Sequence, residues 1–511
     1  MNRDAGSWPG NDLAPSSETQ RRSAEWDLHS GPRNYLALIA AQAASTAAAL
    51  AGTWVATRAL GAAGYGGIVA ILAASQLVSQ LAVNWTVTSL SRYGCEEFVK
   101  TGRIANTFWG RLVILIPNLL LLMVASPLWL PLVSAWLHIP RAAHPLVLIY
   151  LVVTCFWTHV QLSLQGAKLV RLQGILLAGE RTLMLGILVM LTLFGSASLF
   201  SVALAYILSA FVMGAVGLWR LRFLIYPGVR LDRPLLRQML VFSFPLIPAS
   251  LIGYLSTNYL DALFISRFLS TADLGVYSVA YQLAGTTMQL PLLAGSLLMP
   301  LFITFQVSEQ REHLSRFMRE ILPLLALLWS TGCAILAALG TYLLPLIFGP
   351  EFVGTVALLW PLLVASAFAG PVLIGYWPLS NTMGMTYVPA VNSVIAACVN
   401  VGLNLLLIPR FGLIGCAWAT AGAYGAGVLA TTLLVHWRVP LSRSWTVQAC
   451  LPILFGAAYV AWRADNLGAL VITVVLSVLL AFLHRRHISA GLTALIKHKN
   501  FGSSAQPAAV R

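Results

Sequence analysis

Long apolar stretches separated by short polar gaps run along almost the whole chain. Hydropathy, with Pro and Gly at the boundaries, predicts fourteen of them, and several exceed the roughly 20 residues that a helix needs to cross a membrane. The predicted spans are 35–57, 66–88, 107–131, 145–166, 174–195, 198–219, 240–262, 273–300, 320–347, 355–378, 387–408, 412–436, 446–463 and 468–484. This pattern predicts an all-α polytopic membrane protein.

The basic residues alternate between the two sides of the predicted spans. All but five of the 31 Lys and Arg residues fall in every second gap, in the span ends that border those gaps, or in the two tails. Short cytoplasmic loops retain Lys and Arg, so this side is predicted to be cytoplasmic. The other side holds only Arg58, Arg141, Arg267, Arg410 and Arg463. We therefore predict a multi-pass protein of the cell inner membrane, surrounded by membrane lipids, with both termini in the cytoplasm.

A short motif occurs twice and suggests a duplicated architecture. Segments 58–66 (RALGAAGYG) and 267–275 (RFLSTADLG) both fit R-x-L-x-x-A-x-x-G, six spans apart and in the same orientation. Transporters built from parallel halves place their substrate in a cleft between two lobes. The predicted parts are a disordered cytoplasmic tail at 1–34, an N-terminal lobe of six spans at 35–222, a cytoplasmic linker at 223–239, a C-terminal lobe of six spans at 240–436, two further spans at 437–487 and a basic cytoplasmic tail at 488–511.

Composition narrows the function classes. The net charge of +15 is spread over loops between spans, so it indicates retention of basic loops rather than nucleic-acid binding. The six cysteines form no CxxC pair and have no zinc-like spacing, so neither a metal nor another cofactor is predicted. The sequence also has no phosphate-binding loop, no paired-carboxylate motif and no long external loop. An enzyme, including a membrane glycosyltransferase or polymerase, is therefore disfavoured.

Asp261 is the acidic residue that the sequence places deepest in the membrane. All sixteen acids fall in tails, loops or helix ends, and Asp261 lies near the end of span 7 in a stripe with Tyr254 and Asn258. An intramembrane carboxylate is a functional-site hypothesis by default, because its exposure to lipid is costly. Capping of span 7 or pairing with Arg267 at the interface is the favoured interpretation, and a proton or sodium coupling site is the alternative.

Other polar and proline residues inside the spans indicate a wet cavity and a mobile helix. Gln76, Gln80 and Asn84 recur at every fourth position of span 2, and Asn404 belongs to a shorter polar stripe on span 11. Such side chains either hold helices together or line a cavity, and the cavity is favoured. Two prolines lie inside span 7 and are predicted hinges; they are Pro245 and Pro248.

Three stretches of the chain carry motifs of a known family. They are 244–248 (FPLIP) with 261–267 (DALFISR) and 275–281 (GVYSVAY); 348–352 (FGPEF); and 403–412 (LNLLLIPRFG) with 415–417 and 419–420. The chain resembles the polysaccharide flippases of the multidrug/oligosaccharidyl-lipid/polysaccharide superfamily, the Wzx-type exporters. The resemblance covers about residues 35–440. Two positions differ from the usual pattern, Phe352 where Tyr is common and Cys416 where Ala is common.

The resemblance implies a flippase that moves a polyprenyl-diphosphate-linked oligosaccharide across the cytoplasmic membrane by alternating access. Its cargo would be used for surface polysaccharide, exopolysaccharide or O-antigen, with a glycan polymerase and a chain-length regulator as partners. Arg58 and Arg267 are the predicted contacts for the diphosphate, and Tyr281 with the polar stripes would face the glycan. No arginine is expected deep within a lobe, which argues against a peptidoglycan precursor. The alternatives are a cation-coupled multidrug exporter of the same superfamily and a non-transporting scaffold for glycan assembly.

Overall fold

The computed structural model describes residues 17–226, 232–244, 258–307, 311–385, 387–437, 445–486 and 488–489. These residues are almost entirely helical, and no strand occurs among them. The α-helices, in chain order, are α1 Ser17–Ala82, α2 Val87–Thr101, α3 Ala105–Val124, α4 Ser126–Trp136, α5 His144–Gly166, α6 Val170–Leu193, α7 Leu199–Ile225, α8 Arg233–Ser243, α9 Asn258–Phe268, α10 Thr271–Thr287, α11 Gln289–Val307, α12 Arg311–Arg316, α13 Leu322–Phe348, α14 Gly354–Pro371, α15 Trp377–Thr382, α16 Tyr387–His436, α17 Thr446–Ala449, α18 Leu451–Arg463 and α19 Asn466–Leu483. The predicted all-α polytopic fold is confirmed.

Ten helical segments among the described residues are long and apolar enough to cross a membrane. Two of these segments, in α1 and α16, each hold two predicted spans joined at a glycine with left-handed backbone, Gly61 (φ 68°) and Gly412 (φ 59°). The ten segments thus contain most of every predicted span except spans 7 and 13; spans 2 and 3 extend past the ends of α1 and α3. Span 7 runs across the undescribed residues 245–257. Span 13 is divided between α17 and α18, of 4 and 13 residues, because the chain turns at Cys450.

The contacts between residues divide the chain into two compact units. Unit 1 comprises Met1–Val55, Ser75–Leu132 and Arg141–Ser250, and unit 2 comprises Ala56–Ala74, Val133–Pro140 and Leu251–Arg511. The predicted lobes at 35–222 and 240–436 were assigned from the spans and the repeated motif, and their boundaries stay a prediction. Notably, a short piece of α1, Ala56–Ala74, belongs by its contacts to unit 2.

Unit 1 is held together by apolar side chains from α3, α5, α6 and α7. Phe108, Leu164 and Leu221 are buried members of its main cluster. The helices α2 and α5 approach so closely at Gly94 and Gly166 that a Cβ added to Gly94 would lie 3.4 Å from the Cα of Gly166. In a lipid environment, where lipid tails are as apolar as leucine, such small residues allow the backbone contacts that hold helices together.

Unit 2 is built around α14, which packs against α10, α13 and α16. Most of its side chains are buried on every side, including that of Trp360. A helix that is apolar all round is typical of such a central position. At its end, Pro371 is followed by a π-helical turn, Val372–Tyr376.

Two charged side chains inside unit 1 contradict the sequence-based expectations. Glu180 lies in the middle of α6 and is buried, although acids were expected only in tails, loops or helix ends. Its Oε2 atom lies 3.0 Å from Nε of Arg181. A neighbouring guanidinium offsets the cost of burying the carboxylate, which explains why the helix tolerates it.

Arg111 is the second exception, because no arginine was expected deep within a lobe. Its side chain is 0% exposed and starts six residues into α3, about 9 Å along the helix. Nε donates to Oγ1 of Thr86 over 3.1 Å, and Nη1 lies 3.2 Å from Nδ1 of His159. Nη2 of Arg111 and Nε2 of His159 have no hydrogen-bond partner among the described residues. Unit 1 therefore contains a buried guanidinium with donor capacity to spare.

Candidate functional site

The most polar buried point of unit 2 is the carboxylate of Asp261, in the first turn of α9. Asp261 is 2% exposed. Its Oδ2 atom accepts hydrogen bonds from the hydroxyls of Tyr277, at 2.5 Å, and Thr420, at 2.9 Å. Its Oδ1 atom accepts from Nδ2 of Asn404 at 3.0 Å. Three donors from two other helices therefore compensate for the loss of water around this carboxylate.

The glycine kink in α16 makes this arrangement possible. Asn404 and Thr420 are sixteen residues apart, which would separate them by about 24 Å along a straight helix. Both nevertheless bond the same carboxylate, so the chain must fold back between them. Gly412 provides the reversal with a φ of 59°, which favours glycine. A Cβ at Gly415 would overlap the carbonyl oxygen of Leu407, so the two halves of α16 touch through their backbones.

Oxygen atoms of several kinds converge next to Asp261. The Nδ2 atom of Asn404 also donates to Oδ1 of Asn400 at 2.9 Å. The Oδ1 atom of Asn404 is buried and has no hydrogen-bond partner among the described residues, and the same holds for Oδ1 of Asn392, which lines the adjacent cavity about three turns earlier on α16. Buried acceptors of this kind are costly unless something donates to them or a cation binds them. The cluster thus has both the charge and the spare oxygens that a small cation needs.

A cavity of about 310 Å³ opens beside this cluster. Its polar lining includes Asp261, Asn392, Asn400, Thr420 and Tyr424, and its remaining walls are mainly aromatic and aliphatic. Among the described residues, no group of three or more His, Cys, Asp or Glu side chains could hold a metal ion. One carboxylate with amide and hydroxyl oxygens suits a hard monovalent cation or a proton better than a divalent ion.

The structure gives Asp261 different partners from the predicted one. Arg267 lies six residues further along α9, and its guanidinium carbon is 6.0 Å from the ring centre of Trp136. Nε1 of Trp136 donates to the carbonyl of Leu263. Six residues correspond to about 240° around a helix, so the two charged side chains point in different directions. The prediction of an Asp261–Arg267 pair is therefore wrong.

Arg58 and Arg267, the predicted head-group contacts, have separate partners in unit 2. Nε and Nη2 of Arg58 each donate over 3.0 Å to a backbone carbonyl, those of Ile347 and Leu346. These carbonyls are among the last of α13, where a helix lacks internal donors and carries a partial negative charge. Arg58 thus ties α1 to the end of α13. Its predicted role in holding a diphosphate stays a prediction.

The remaining predicted residues fall into three groups. In unit 1, Nδ2 of Asn84 donates to Oε1 of Gln80 at 2.9 Å, but the α-helix ends at Ala82. The polar row with Gln76 therefore does not continue as one helical face. In unit 2, Tyr281 lines the cavity beside Asp261. Outside the described residues lie the predicted hinges and the rest of the span 7 stripe, namely Pro245, Pro248, Tyr254 and the side chain of Asn258.

Two contributors to the site were not chosen from the sequence as site residues, although each lies in a stretch that carries the family resemblance. Tyr277 belongs to 275–281 and Thr420 to 419–420. Their position in motifs of the family could have marked them as functional residues. Their roles, however, depend on contacts between segments that are distant in sequence. Asn404 and Thr420 are 143 and 159 residues from Asp261.

Comparison with known proteins places the chain in a family. A family model described as polysaccharide biosynthesis protein matches residues 32–306, more than half of the 511 residues. The chain belongs to this family. No curated protein matches the sequence.

Solved structures of transporters share the fold of this family member. The lipid II flippase MurJ, in an inward closed conformation, matches with a TM-score of 0.66 and 13% identity over 88% of this chain and 99% of MurJ. An inward-facing multidrug resistance transporter of the MATE family, in the MOP superfamily, matches with a TM-score of 0.59 and 14% identity over 78% and 94%. The MATE multidrug transporter DinF-BH, in complex with R6G, reaches 0.53 and 13% over 87% and 99%. At these identities the likeness shows the fold alone.

Proposed function

We propose that this protein is a flippase that moves a polyprenyl-diphosphate-linked oligosaccharide from the cytoplasmic to the periplasmic leaflet of the inner membrane. The observation that carries the proposal is the family match over residues 32–306, because that family is described by polysaccharide biosynthesis. The fold shared with a lipid II flippase supports a transporter rather than an enzyme. Both termini face the cytoplasm in this proposal, and a polymerase and a chain-length regulator act on the exported units.

The Asp261 cluster supports a transport cycle driven by a cation gradient. A buried carboxylate in a membrane-spanning lobe is costly and is retained where it serves binding or coupling. Its partners Tyr277, Thr420 and Asn404 hold it in place without neutralising its charge. In the proposed cycle, a sodium ion or a proton enters through the adjacent cavity and shifts the balance between inward-facing and outward-facing states.

The cargo is proposed at the level of a lipid diphosphate carrying a glycan. A diphosphate needs cationic donors, and the buried guanidinium of Arg111 has a free Nη2 for such an anion. The expectation that no arginine lies deep in a lobe had argued against a peptidoglycan precursor. Arg111 overturns that expectation. The preference for a surface glycan over a peptidoglycan precursor therefore rests on the description of the family alone.

A cation-coupled multidrug exporter is the second candidate. The cavity beside Asp261 holds about 310 Å³, lies within the size range of small-molecule sites and is lined by aromatic residues such as Tyr281 and Phe368. Two of the similar structures are described as multidrug transporters. A non-transporting scaffold is the third candidate, and no contact among the described residues favours it.

Reconstitution distinguishes the candidates. Purified protein is placed in vesicles that contain a fluorescent polyprenyl-diphosphate oligosaccharide, and a membrane-impermeant quencher reports the fraction in the outer leaflet. We expect translocation that accelerates with an imposed sodium or proton gradient and that is lost in Asp261→Asn. Asp465→Asn is the matched control, because Asp465 is an exposed helix cap. Gradient-driven uptake of a cationic dye without lipid translocation would instead establish the exporter.

A further inference from the structure

The turn that joins the first two predicted spans is clamped by several independent contacts within unit 2. This 58–66 turn lies in the middle of α1 and contains Gly61, whose φ of 68° and ψ of −177° interrupt the helix. Residues Ala56–Ala74 belong to unit 2, although the chain on either side belongs to unit 1. The first clamp is Arg58, which donates to the two carbonyls at the end of α13 described above.

Glu351 provides the second clamp. It lies in the 3-10 turn Pro350–Phe352 that follows α13, and its Oε2 atom accepts a hydrogen bond from the backbone N–H of Ala62 at 2.9 Å. A Cβ at Gly61 would lie 2.7 Å from the same oxygen. Glycine at 61 therefore serves both the backbone conformation and the close approach of the carboxylate. Segment 348–352, one of the stretches that carry the family resemblance, therefore binds the 58–66 turn through Glu351.

The third clamp joins the two copies of the repeated motif. A Cβ at Gly66 would overlap the carbonyl oxygen of Thr271, and a Cβ at Gly275 would overlap the carbonyl oxygen of Ala62. Ala62 and Thr271 each precede the glycine of their own copy by four residues, so the contact is reciprocal. It also brings each glycine near the backbone nitrogen of the other, with added Cβ atoms at 3.0 and 3.1 Å. The backbones thus touch with no room for a side chain on either glycine.

The helix that carries Gly275 also carries a residue that donates a hydrogen bond to the Asp261 carboxylate. Tyr277, whose hydroxyl bonds Asp261, follows Gly275 by two residues on α10. Two residues correspond to about 200° around a helix, so the glycine and the tyrosine point to opposite sides. Seven residues after Gly275, about two turns along the same face, the carboxamide oxygen of Gln282 lies 3.4 Å from the hydroxyl of Tyr65 in α1. Helix α10 therefore lies between the clamped turn and the carboxylate.

We propose that the 58–66 turn is a latch and that helix α10 links its release to the occupancy of the Asp261 site. A cation on Asp261 competes with the Tyr277 hydroxyl for Oδ2, and the tyrosine must then move with its helix. On the opposite side of α10, the backbones of the turn and of α10 are already in contact at Gly66 and Gly275, so α10 cannot move while keeping this contact unchanged. A displacement of α10 therefore separates it from the turn. This inference rests on the proposed coupling function and adds its mechanical output.

The latch is tested by the accessibility of a buried reporter in intact cells. Ala62→Cys, in a chain with the six native cysteines replaced by serine, places a thiol at a residue that is 6% exposed. Ala63→Cys is the positive control, because Ala63 is exposed in the same turn. A membrane-impermeant maleimide should label Ala63→Cys fully and Ala62→Cys slowly. If the maleimide leaves Ala63→Cys unlabelled, the turn is not periplasmic and the proposal fails.

Glycine substitutions test whether the crossing keeps the latch closed. Adding Gly275→Ala should raise the labelling rate of Ala62→Cys on the order of tenfold, because the added methyl group overlaps the backbone of the turn. Gly332→Ala is the matched control, since Gly332 lies on α13 with open space where its Cβ would be. Equal rates in the two variants, at equal protein level, would refute the latch.

Substitution at Tyr277 tests the link to the carboxylate. In the Ala62→Cys reporter, Tyr277→Phe removes the hydroxyl that joins α10 to Asp261 and should raise the labelling rate as Gly275→Ala does. Labelling of the unsubstituted reporter should also differ between sodium and choline media, or between two pH values. If only Gly275→Ala has an effect, the proposed link is wrong. The readout needs no glycan, so a failure of lipid translocation with intact labelling changes would overturn the proposed cargo and leave the latch standing.

Discussion

Replacing Asp261 by two different residues separates the structural from the cation-binding role of its carboxylate. Asp261→Ala removes the shared acceptor of three buried donors, those of Tyr277, Thr420 and Asn404. The Tyr277 hydroxyl can then donate to Oγ1 of Thr420, 3.1 Å away, which leaves two donors unsatisfied. Each unsatisfied donor costs about 1–3 kcal/mol, so the free energy of unfolding should fall by about 2–6 kcal/mol before any further relaxation. Asp261→Asn keeps one carbonyl oxygen, and both hydroxyls can rotate to accept from the new amide. Its cost should stay below about 2 kcal/mol.

Thermal unfolding in detergent measures both roles. Asp261→Ala should melt below Asp261→Asn by roughly several degrees. In the wild type, a cation at 100 times its dissociation constant should add about 2.7 kcal/mol of stability and raise the melting temperature. Asp261→Asn should lose that increase because the charge that binds the cation is gone. Asp465→Asn should keep it, since Asp465 is exposed and caps α19.

Two results would refute this reasoning. Equal melting temperatures for Asp261→Ala and Asp261→Asn would mean that the three donors find other acceptors at little cost. An undiminished cation-induced increase in Asp261→Asn would mean that the cation binds elsewhere. The wild-type measurement with sodium, potassium and a series of pH values identifies which cation is bound.

Three further outcomes are expected. Arg111→Met should melt no lower than the wild type, because an apolar side chain replaces a buried charge that has an unpaired nitrogen. Its surface-glycan production should nevertheless fall by about tenfold or more, and normal production at normal protein level would mean that Arg111 does not bind cargo. Arg58→Lys should retain part of the glycan production and Arg58→Ala less, since lysine keeps the charge but cannot reach two carbonyls with a planar fork; equal production in both would leave this arginine as a membrane anchor. Cysteines placed at Arg22 and Lys497 should resist an impermeant reagent in intact cells, and labelling of either from outside would overturn the predicted topology.

The sequence identified Asp261 as a special residue but assigned it the wrong partner. Arg267 was chosen because it is close in sequence, whereas on α9 it points elsewhere. The true partners lie 16, 143 and 159 residues away in sequence. Helical periodicity relates residues on one helix only, so it carries no information about which faces of distant helices meet.

The length and composition of the apolar stretches were enough to determine the fold class of this protein. Each membrane-spanning stretch must by itself satisfy the length and composition that a hydrocarbon core imposes, so the sequence alone determined an all-α polytopic fold. The burial of Arg111, the donors around Asp261 and the contact of Gly66 with Gly275 were decided only by tertiary structure. Each depends on how helices pack against one another, and in a uniformly apolar sequence many pairings of helix faces bury similar side chains. Close backbone approach and the matching of a few polar atoms select among those pairings.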